Sequence, residues 1–262
     1  DLVPLAQSQQ RQNNGQEPDV LRSHALLTGV AIAAQRLLSI ADFDAAVEGA
    51  LEAIAMSAGI DRIFIYEHHS ATPATPELAT CPYEWTAAGV PVHREMPGRF
   101  PLVYSEIEGF SEWKQRLKAG EPVQKLKAEM SAEGQALQDI DQALSVLTVP
   151  IFVEGEYWGN FGFDDCTTAR VWSNAEIAVL ETAAATFAAA VQRRGSIDTL
   201  RSRDVLLDSV NAAAQCLVAT DELAMAIPEA LRILGEGTQQ DRVYVFENVY
   251  PNGPDEVFWN LP

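Results

Sequence analysis

Residues 148–166 read TVPIFVEGEYWGNFGFDDC, and this stretch decides the fold class. Apolar and aromatic residues alternate on both sides of the Glu-Gly pair at 154–155, which suits a tight reversal of the chain. The sequence therefore predicts a β-hairpin with strands over 145–153 and 156–164. Residues 173–176, Ser-Asn-Ala-Glu, then have the spacing of a capping box, which begins a helix by satisfying its free amides.

Upstream of this hairpin, the predicted order is helix, helix, strand, strand and a mixed middle segment. Apolar residues fall at helical spacing from Val20 to about Ser39, and a second helix begins at Asp42 and is closed by Gly59. Residues 62–67 alternate and are β-branched or aromatic, which is typical of a strand. This order favours an α+β domain, an antiparallel sheet with its terminal helices on one face.

The chain also repeats itself at an offset of 180 residues. Residues 26–67 align without gaps onto 206–247, and the Asp-Arg pair at 61–62 recurs at 241–242 ahead of a second strand-like run. The helix, the turn and the strand all keep register, which favours a duplication over a chance similarity of two Ala-rich helices.

Charge and composition disfavour several classes of protein. The chain carries 37 acidic and 18 basic residues among 262, a formal net charge of -19. Binding to nucleic acid or to anionic membranes needs positive charge, so neither partner is expected. No apolar stretch supplies the ~18 uncharged residues of a membrane span, and the polar opening does not read as a secretory signal. The three cysteines fit neither a disulfide framework nor a CxxC metal pattern, so we expect a cytoplasmic protein.

On residues 148–176 the chain resembles the last hairpin and last helix of a bacterial, cyanobacterial-type GAF subfamily. Residues 62–67, Tyr-Glu-Trp at 83–85 and Phe-Ser-Glu-Trp at 110–113 fit the same subfamily. The resemblance covers residues 24–192, and the second repeat resembles the opening third of another GAF domain. It implies a tandem sensory module with a six-stranded antiparallel sheet, terminal helices on one face and a ligand pocket on the other.

The expected layout has four parts. They are a flexible lead-in over 1–19, a complete GAF domain over 20–194, a helical linker over 195–217 and the truncated start of a second GAF domain over 204–262. The long helix that begins at Ser173 has the 3-4 apolar spacing of a coiled-coil seam. We therefore expect a homodimer that pairs through the N-terminal and C-terminal helices.

Strand alternation predicts which side chains face the pocket. Ile63, Ile65 and Gly162 are assigned to the helix face, because small and branched residues permit close packing. Seven aromatic residues are then predicted to bind the ligand: Phe64, Tyr66, Trp85, Phe110, Trp113, Phe161 and Phe163. Such a lining suits a small, flat or apolar ligand, and the alternative is that the aromatics fill the core of a ligand-free module.

The remaining polar candidates predict no catalytic residue and no metal site. The acidic pair at 164–165 points to opposite faces of a strand, and we expect one member to pair with Arg170. The histidine pair at 68–69 alternates likewise and is expected at a solvated strand end. His24 and His93 have no acidic or Cys partner nearby in the sequence.

Two cofactor or enzyme classes within the family are also considered. A covalently attached bilin needs a Cys, usually next to His, but residues 100–141 contain no Cys, so no covalent bilin is expected and the cofactor stays open. The free-methionine-sulfoxide reductases act through thiolates, for which Cys81 and Cys166 are the candidates. Their acidic or neutral surroundings do not favour thiolates.

The leading hypothesis is a module that binds a small molecule and signals through dimeric helices to a histidine kinase or cyclase type of output domain. These residues themselves are expected to have no enzymatic activity. A ligand-free dimerisation scaffold is the alternative, and a reductase-like enzyme is the third reading.

Overall fold

The computed structural model describes residues 3–97, 99–103, 109–219 and 222–246, with side chains from residue 21 onward. The chain divides into two compact units, Asp1–Arg194 and Gly195–Pro262. The helices are α1 (Val3–Ser39), α2 (Phe43–Ala58), α3 (Phe110–Lys118), α4 (Ala132–Asp141), α5 (Asn174–Ala219) and α6 (Leu223–Thr238). The strands are β1 (Arg62–His69), β2 (Leu78–Thr86), β3 (Leu102–Val103), β4 (Val123–Leu126), β5 (Ser145–Val153) and β6 (Glu156–Asp165).

The strands of the first unit form one six-stranded antiparallel sheet in the order β3-β2-β1-β6-β5-β4. The predicted hairpin is confirmed as β5 and β6. Glu154 and Gly155 both have positive φ, at 55° and 85°, as the turns that match the twist of a two-stranded ribbon require. The α+β class and the antiparallel sheet are therefore confirmed.

The helices α1 and α2 and the start of α5 pack on one face of this sheet. Leu26, Leu51 and Phe187 from the helices join Ile63 and Ile65 from β1 in a single buried cluster. Burial of this apolar surface is the main favourable contribution to folding of the unit. The placement of Ile63 and Ile65 on the helix face is confirmed.

The start of α5 is anchored as its sequence predicts. The Ser173 amide donates to Glu176 Oε2 at 2.8 Å, and the Glu176 amide donates to Ser173 Oγ at 3.3 Å, so the capping box is confirmed. Trp172 is buried, and its amide donates to Gln124 Oε1 at 3.0 Å on β4. The guanidinium of Arg170 lies 3.9 Å from the centre of the Trp172 ring. These contacts hold the first turn of α5 against the sheet.

Helix α1 covers most of the predicted lead-in, and α5 runs through the predicted helical linker. The backbone is helical from Val3, where a flexible lead-in was predicted over 1–19. Gln and Arg tolerate helix well, although Gly15 and Pro18 disfavour it. The helix α5 continues through Gly195 to Ala219. Although no membrane span was predicted, α5 contains a window apolar enough to cross a membrane by length and composition. Buried residues such as Leu180 place part of that window in the core of the first unit.

Helix boundaries in the second unit lie 180 residues after the corresponding boundaries in the first unit. α1 ends at Ser39 and α5 at Ala219, while α2 and α6 cover Phe43–Ala58 and Leu223–Thr238. Gly59 and Gln239 close these two helices with positive φ, at 61° and 54°. The duplication remains a prediction, and the matching helix ends support it.

The strand predicted in the second unit is absent from its described part. Residues 242–246 have no regular secondary structure, and Tyr244, Val245 and Phe246 are 68%, 64% and 83% exposed. A strand needs a hydrogen-bonded neighbour, and the described residues of this unit include no other strand. The further strand predicted from Val257 lies outside the described residues.

Candidate ligand-binding site

A cavity lies on the face of the sheet opposite the helix bundle. Strands β1, β5 and β6 form its floor, and α3 and α4 contribute to its roof. The space open to the centre of a water molecule is about 60 Å³. This cavity has the position in the fold that the resemblance implied for a ligand.

Four of the predicted aromatic residues line this cavity: Phe64, Tyr66, Phe110 and Trp113. The rings of Phe64 and Tyr66 lie 4.5 Å apart on β1, and those of Phe110 and Trp113 lie 5.8 Å apart on α3. Strand alternation on β1 and the aromatic spacing on α3 were sufficient to place these side chains. Ligand binding by them stays a prediction.

The pocket-face placement of Trp85, Phe161 and Phe163 is wrong. All three lie in or against the core between the sheet and the helices. Ile63 pairs with both Trp85 and Phe163, and Ile65 pairs with Phe161. Directly opposed residues on neighbouring strands share a face, so these aromatics follow the isoleucines. The register between β1 and β6 could not be known from alternation within each strand.

Gly162 lies on the cavity face, which corrects its assignment to the helix face. It pairs with Phe64 across β1 and β6. A Cβ at Gly162 would lie 1.9 Å from the Phe64 ring, so the ring occupies the space that any side chain here would need. The glycine therefore shapes the cavity wall by admitting Phe64.

A buried ionic network underlies the cavity, centred on Arg62 of β1. Its Nη1 donates to Asp164 Oδ2 at 2.7 Å, and its Nη2 donates to the carbonyl oxygens of Asp141 at 2.7 Å and Pro91 at 3.0 Å. Its Nε lies 3.5 Å from Glu84 Oε1. Arg62 thus joins β1 to β2, β6 and the end of α4, and a buried guanidinium needs this compensation.

His93 belongs to the same network, although sequence reasoning found no partner for it. Its Nε2 lies 3.2 Å from Asp141 Oδ1, and its Nδ1 lies 3.7 Å from Glu84 Oε1. Arg99 Nη2 donates to Asp141 Oδ2 at 2.9 Å. These partners are distant along the chain. The one available signal was Arg62, a charged residue directly before the apolar run 63–66 of β1.

Burial and charge act in opposite senses on the carboxylates of the network. Burial alone raises the pKa of Asp141, but the hydrogen bond with His93 and the nearby guanidinium groups hold that pKa below its usual range. Burial raises the pKa of Asp164 despite the adjacent Arg62. Burial also raises the pKa of the Tyr66 hydroxyl well above its usual value, so this phenol stays protonated.

The expected pairing of Arg170 with one of the two aspartates is wrong. Arg170 Nη2 instead donates to Glu176 Oε1 at 2.6 Å. Asp165 Oδ1 accepts from the Thr168 amide at 2.7 Å and so shapes the turn after β6. Asp164 and Asp165 do serve opposite sides of the strand, as alternation indicated.

The histidine pair on β1 is less solvated than expected. The His68 side chain is nearly buried, and its Nε2 lies 3.2 Å from Glu77 Oε1. His69 Nε2 lies 2.9 Å from Thr80 Oγ1. The two rings thus have different partners. Across the described residues, no group of three or more His, Cys, Asp or Glu is arranged to hold a metal ion.

The two candidate cysteines lie in surroundings that disfavour thiolates. Burial raises the pKa of Cys81 far above its usual value, and it raises the pKa of Cys166 to about 12. A nucleophilic cysteine needs a lowered pKa. Neither thiol therefore has the environment of a catalytic group.

A larger cavity adjoins the first on the outer side of α3. Its water-accessible space is about 560 Å³, and it includes residues of α3, β4 and α4. Phe110, Trp113 and Gln138 line both cavities. These three side chains therefore form the partition between the inner and the outer space.

Comparisons with known proteins agree with this architecture. The sequence profile of the GAF domain matches residues 42–191. The methanogenesis regulatory histidine kinase FilI of Methanothrix harundinacea (strain 6Ac) is 30% identical over 193 residues, which cover 73% of this chain and 21% of that protein. The chain thus spans about a fifth of the length of this curated relative.

Two solved structures share the fold at low sequence identity. JSC1_58120g3, in its far-red absorbing dark state with bound biliverdin IXa, has a TM-score of 0.50 and 16% identity, covering 63% of this chain and 98% of that one. Bacteriophytochrome RpBphP3 from R. palustris has a TM-score of 0.60 and 14% identity, covering 79% of this chain and 45% of that one.

Proposed function

This chain belongs to the GAF family, and on that premise we propose that it is a cytoplasmic sensory module whose inner cavity binds a small molecule. GAF domains are in general sensory and non-catalytic. The observation that carries the proposal is the cavity beneath α3 and α4, walled by aromatic side chains and floored by a buried ionic network. Pockets of this composition are the usual sites of small-molecule recognition.

The strands give a direct route from the cavity to the helices. Phe64 faces the cavity while its neighbours Ile63 and Ile65 pack in the core with α1, α2 and α5. A ligand that moves Phe64 would therefore also shift the neighbouring side chains that contact the helix bundle. A tenfold bias between two states needs only about 1.4 kcal/mol of differential binding.

The signal would leave the domain through paired helices. Leu21, Leu27 and Leu38 are exposed along α1, and a coiled-coil partner would bury such residues. We therefore propose a homodimer through the terminal helices. The similarity to a regulatory histidine kinase supports a kinase type of output in the full-length protein.

The size of the cavity limits its occupant. A cavity of roughly 150 Å³ binds benzene, so about 60 Å³ suits a ligand of a few heavy atoms better than a tetrapyrrole. The raised pKa values of Cys81 and Cys166 speak against the reductase reading. The ligand-free scaffold remains as an outcome of the test.

Native mass spectrometry of the purified chain tests the proposal. We expect a dimer that carries a small molecule released on denaturation. Val146→Phe fills the cavity from β5 and should abolish retention of the molecule while the dimer persists. The same substitution at exposed Val171 is the matched control. A dimer with no bound molecule, in which Val146→Phe changes nothing, identifies a scaffold, and a monomer contradicts the helical transmission.

A further inference from the structure

Asp141 Oδ1 and His93 Nε2 lie 3.2 Å apart in the cavity lining and face each other. Three other buried acceptor atoms of the lining have no hydrogen-bond partner among the described residues. They are Gln138 Oε1, Asn160 Oδ1 and Asp164 Oδ1. Gln138, Asn160 and Asp164 are only 7%, 4% and 2% exposed. The second oxygen of Asp164 is occupied by Arg62, and Asn160 Nδ2 already donates to Tyr157 Oη. Buried polar atoms are normally satisfied, so three acceptors at one cavity point to a ligand that donates.

One buried donor of the lining is also unsatisfied. Arg99 Nε has no partner among the described residues, while Arg99 Nη2 is committed to Asp141. The nitrogens of the His93 ring lie 3.7 Å from Glu84 Oε1 and 3.2 Å from Asp141 Oδ1. Apart from these contacts, the inner cavity presents one free donor and three free acceptors. A carbonyl group that carries N–H groups on the same carbon matches this set.

The charges that line the cavity are already compensated within the protein. Arg99 donates to Asp141, Lys114 pairs with Glu77, and Asp164 accepts from the guanidinium beneath it. A charged ligand would enter a site in which each of these counter-charges is taken, and an unpaired buried charge is strongly disfavoured. These pairings favour an uncharged occupant.

We propose that the inner cavity recognises the uncharged primary amide or urea group of a small ligand, an inference that rests on the sensory function proposed above. The ligand carbonyl accepts from Arg99 Nε, and its N–H bonds, two in a primary amide and four in urea, donate to acceptors among Gln138, Asn160 and Asp164. The aromatic rings of Phe64 and Trp113 enclose the planar group. A substituent on the group has room in the outer cavity, which Gln138 also lines.

Four planar molecules of equal size separate the possible recognition modes: acetamide, acetone, acetate and acetamidinium. They share one shape and differ only in donors and charge. Titration is followed by NMR through the Trp113 indole N–H and the backbone amides of β1 and β6. We expect saturable shifts with acetamide in the millimolar range, and binding at least about tenfold weaker for the other three.

The variant Gln138→Met separates recognition from mere packing. It replaces a buried amide whose oxygen has no partner by an apolar chain of similar length, so the empty protein should melt at a higher temperature. At the same time, its affinity for acetamide should fall about tenfold. Gln115→Met on the exposed side of α3 is the control and should change neither quantity.

The outcomes distinguish this inference from the sensory proposal. Tighter binding of acetate or acetamidinium at the same resonances overturns the uncharged amide while leaving a small-molecule sensor in place. Equal binding of acetone overturns the role of the acceptors, as does unchanged acetamide affinity in Gln138→Met. If none of the four shifts these resonances at about 50 mM, the amide assignment is overturned, and native mass spectrometry decides the sensory function separately.

Discussion

Gly162→Ala tests the placement of β6 against β1. The added Cβ would lie 1.9, 2.0 and 2.6 Å from three atoms of the Phe64 ring, whereas ordinary contacts begin at 3.4 Å. The ring must therefore move by more than an ångström, either into the cavity or against Tyr66. Overpacking of this kind costs about 1–3 kcal/mol, and we expect a loss of ~2 kcal/mol in the free energy of unfolding.

Urea unfolding followed by tryptophan fluorescence measures this loss. Gly195→Ala is the matched control, because nothing lies within 4 Å of its Cβ position and the residue is inside α5. Alanine in a helix interior should stabilise by about 0.5–1 kcal/mol, the opposite sign. In Phe64→Leu, the cost of Gly162→Ala should shrink, since the clashing ring atoms are gone.

A change within about 0.5 kcal/mol in Gly162→Ala would refute the reasoning, because the clash would then be absent. An equal cost in the Phe64→Leu background would refute it in another way. The strain would then arise elsewhere than at the ring, and Gly162 would not face the cavity.

Three further predictions concern the core and the network. Trp172 is 2% exposed, so Trp172→Ala should lower the free energy of unfolding by ~3 kcal/mol, and a change within ~0.5 kcal/mol would show that its anchoring of α5 is wrong. Arg62→Met leaves the carboxylates of Glu84 and Asp164 without their buried cation and should cost about 3–5 kcal/mol by urea unfolding. Folding lowers the pKa of Asp141, so its carboxylate stabilises the folded protein. This stabilisation is fully present above the pKa of Asp141 in the unfolded chain, and it is lost as the pH falls through the lower pKa in the folded protein. Stability should therefore decline below about pH 5, and less steeply in Asp141→Asn, while an unchanged slope would contradict this role.

Local features of the fold were predictable because their causes are close in sequence. The hairpin depends on a two-residue turn with positive φ, and the start of α5 depends on Ser173 and Glu176, which satisfy each other's amides. The aromatic pairs Phe64–Tyr66 and Phe110–Trp113 were placed by the periods of one strand and one helix. Each of these inferences needs only neighbours within one element or one turn.

The remainder of the site was decided by contacts between distant segments. Phe161 and Phe163 face the helices because β6 pairs with β1 in the register that sets them opposite Ile65 and Ile63. His93 becomes part of the cavity only because the chain brings Asp141 beside it.

The sequence by itself determined the order of helices and strands, the hairpin, the helix caps and the alternation along each strand, since these follow from the dihedral preferences and polar groups of adjacent residues. Only the tertiary structure decided which face of β6 meets the cavity, which acid compensates each cation and which polar atoms of the cavity lining remain unsatisfied. Those properties depend on strand register and burial, which arise when segments remote along the chain pack together.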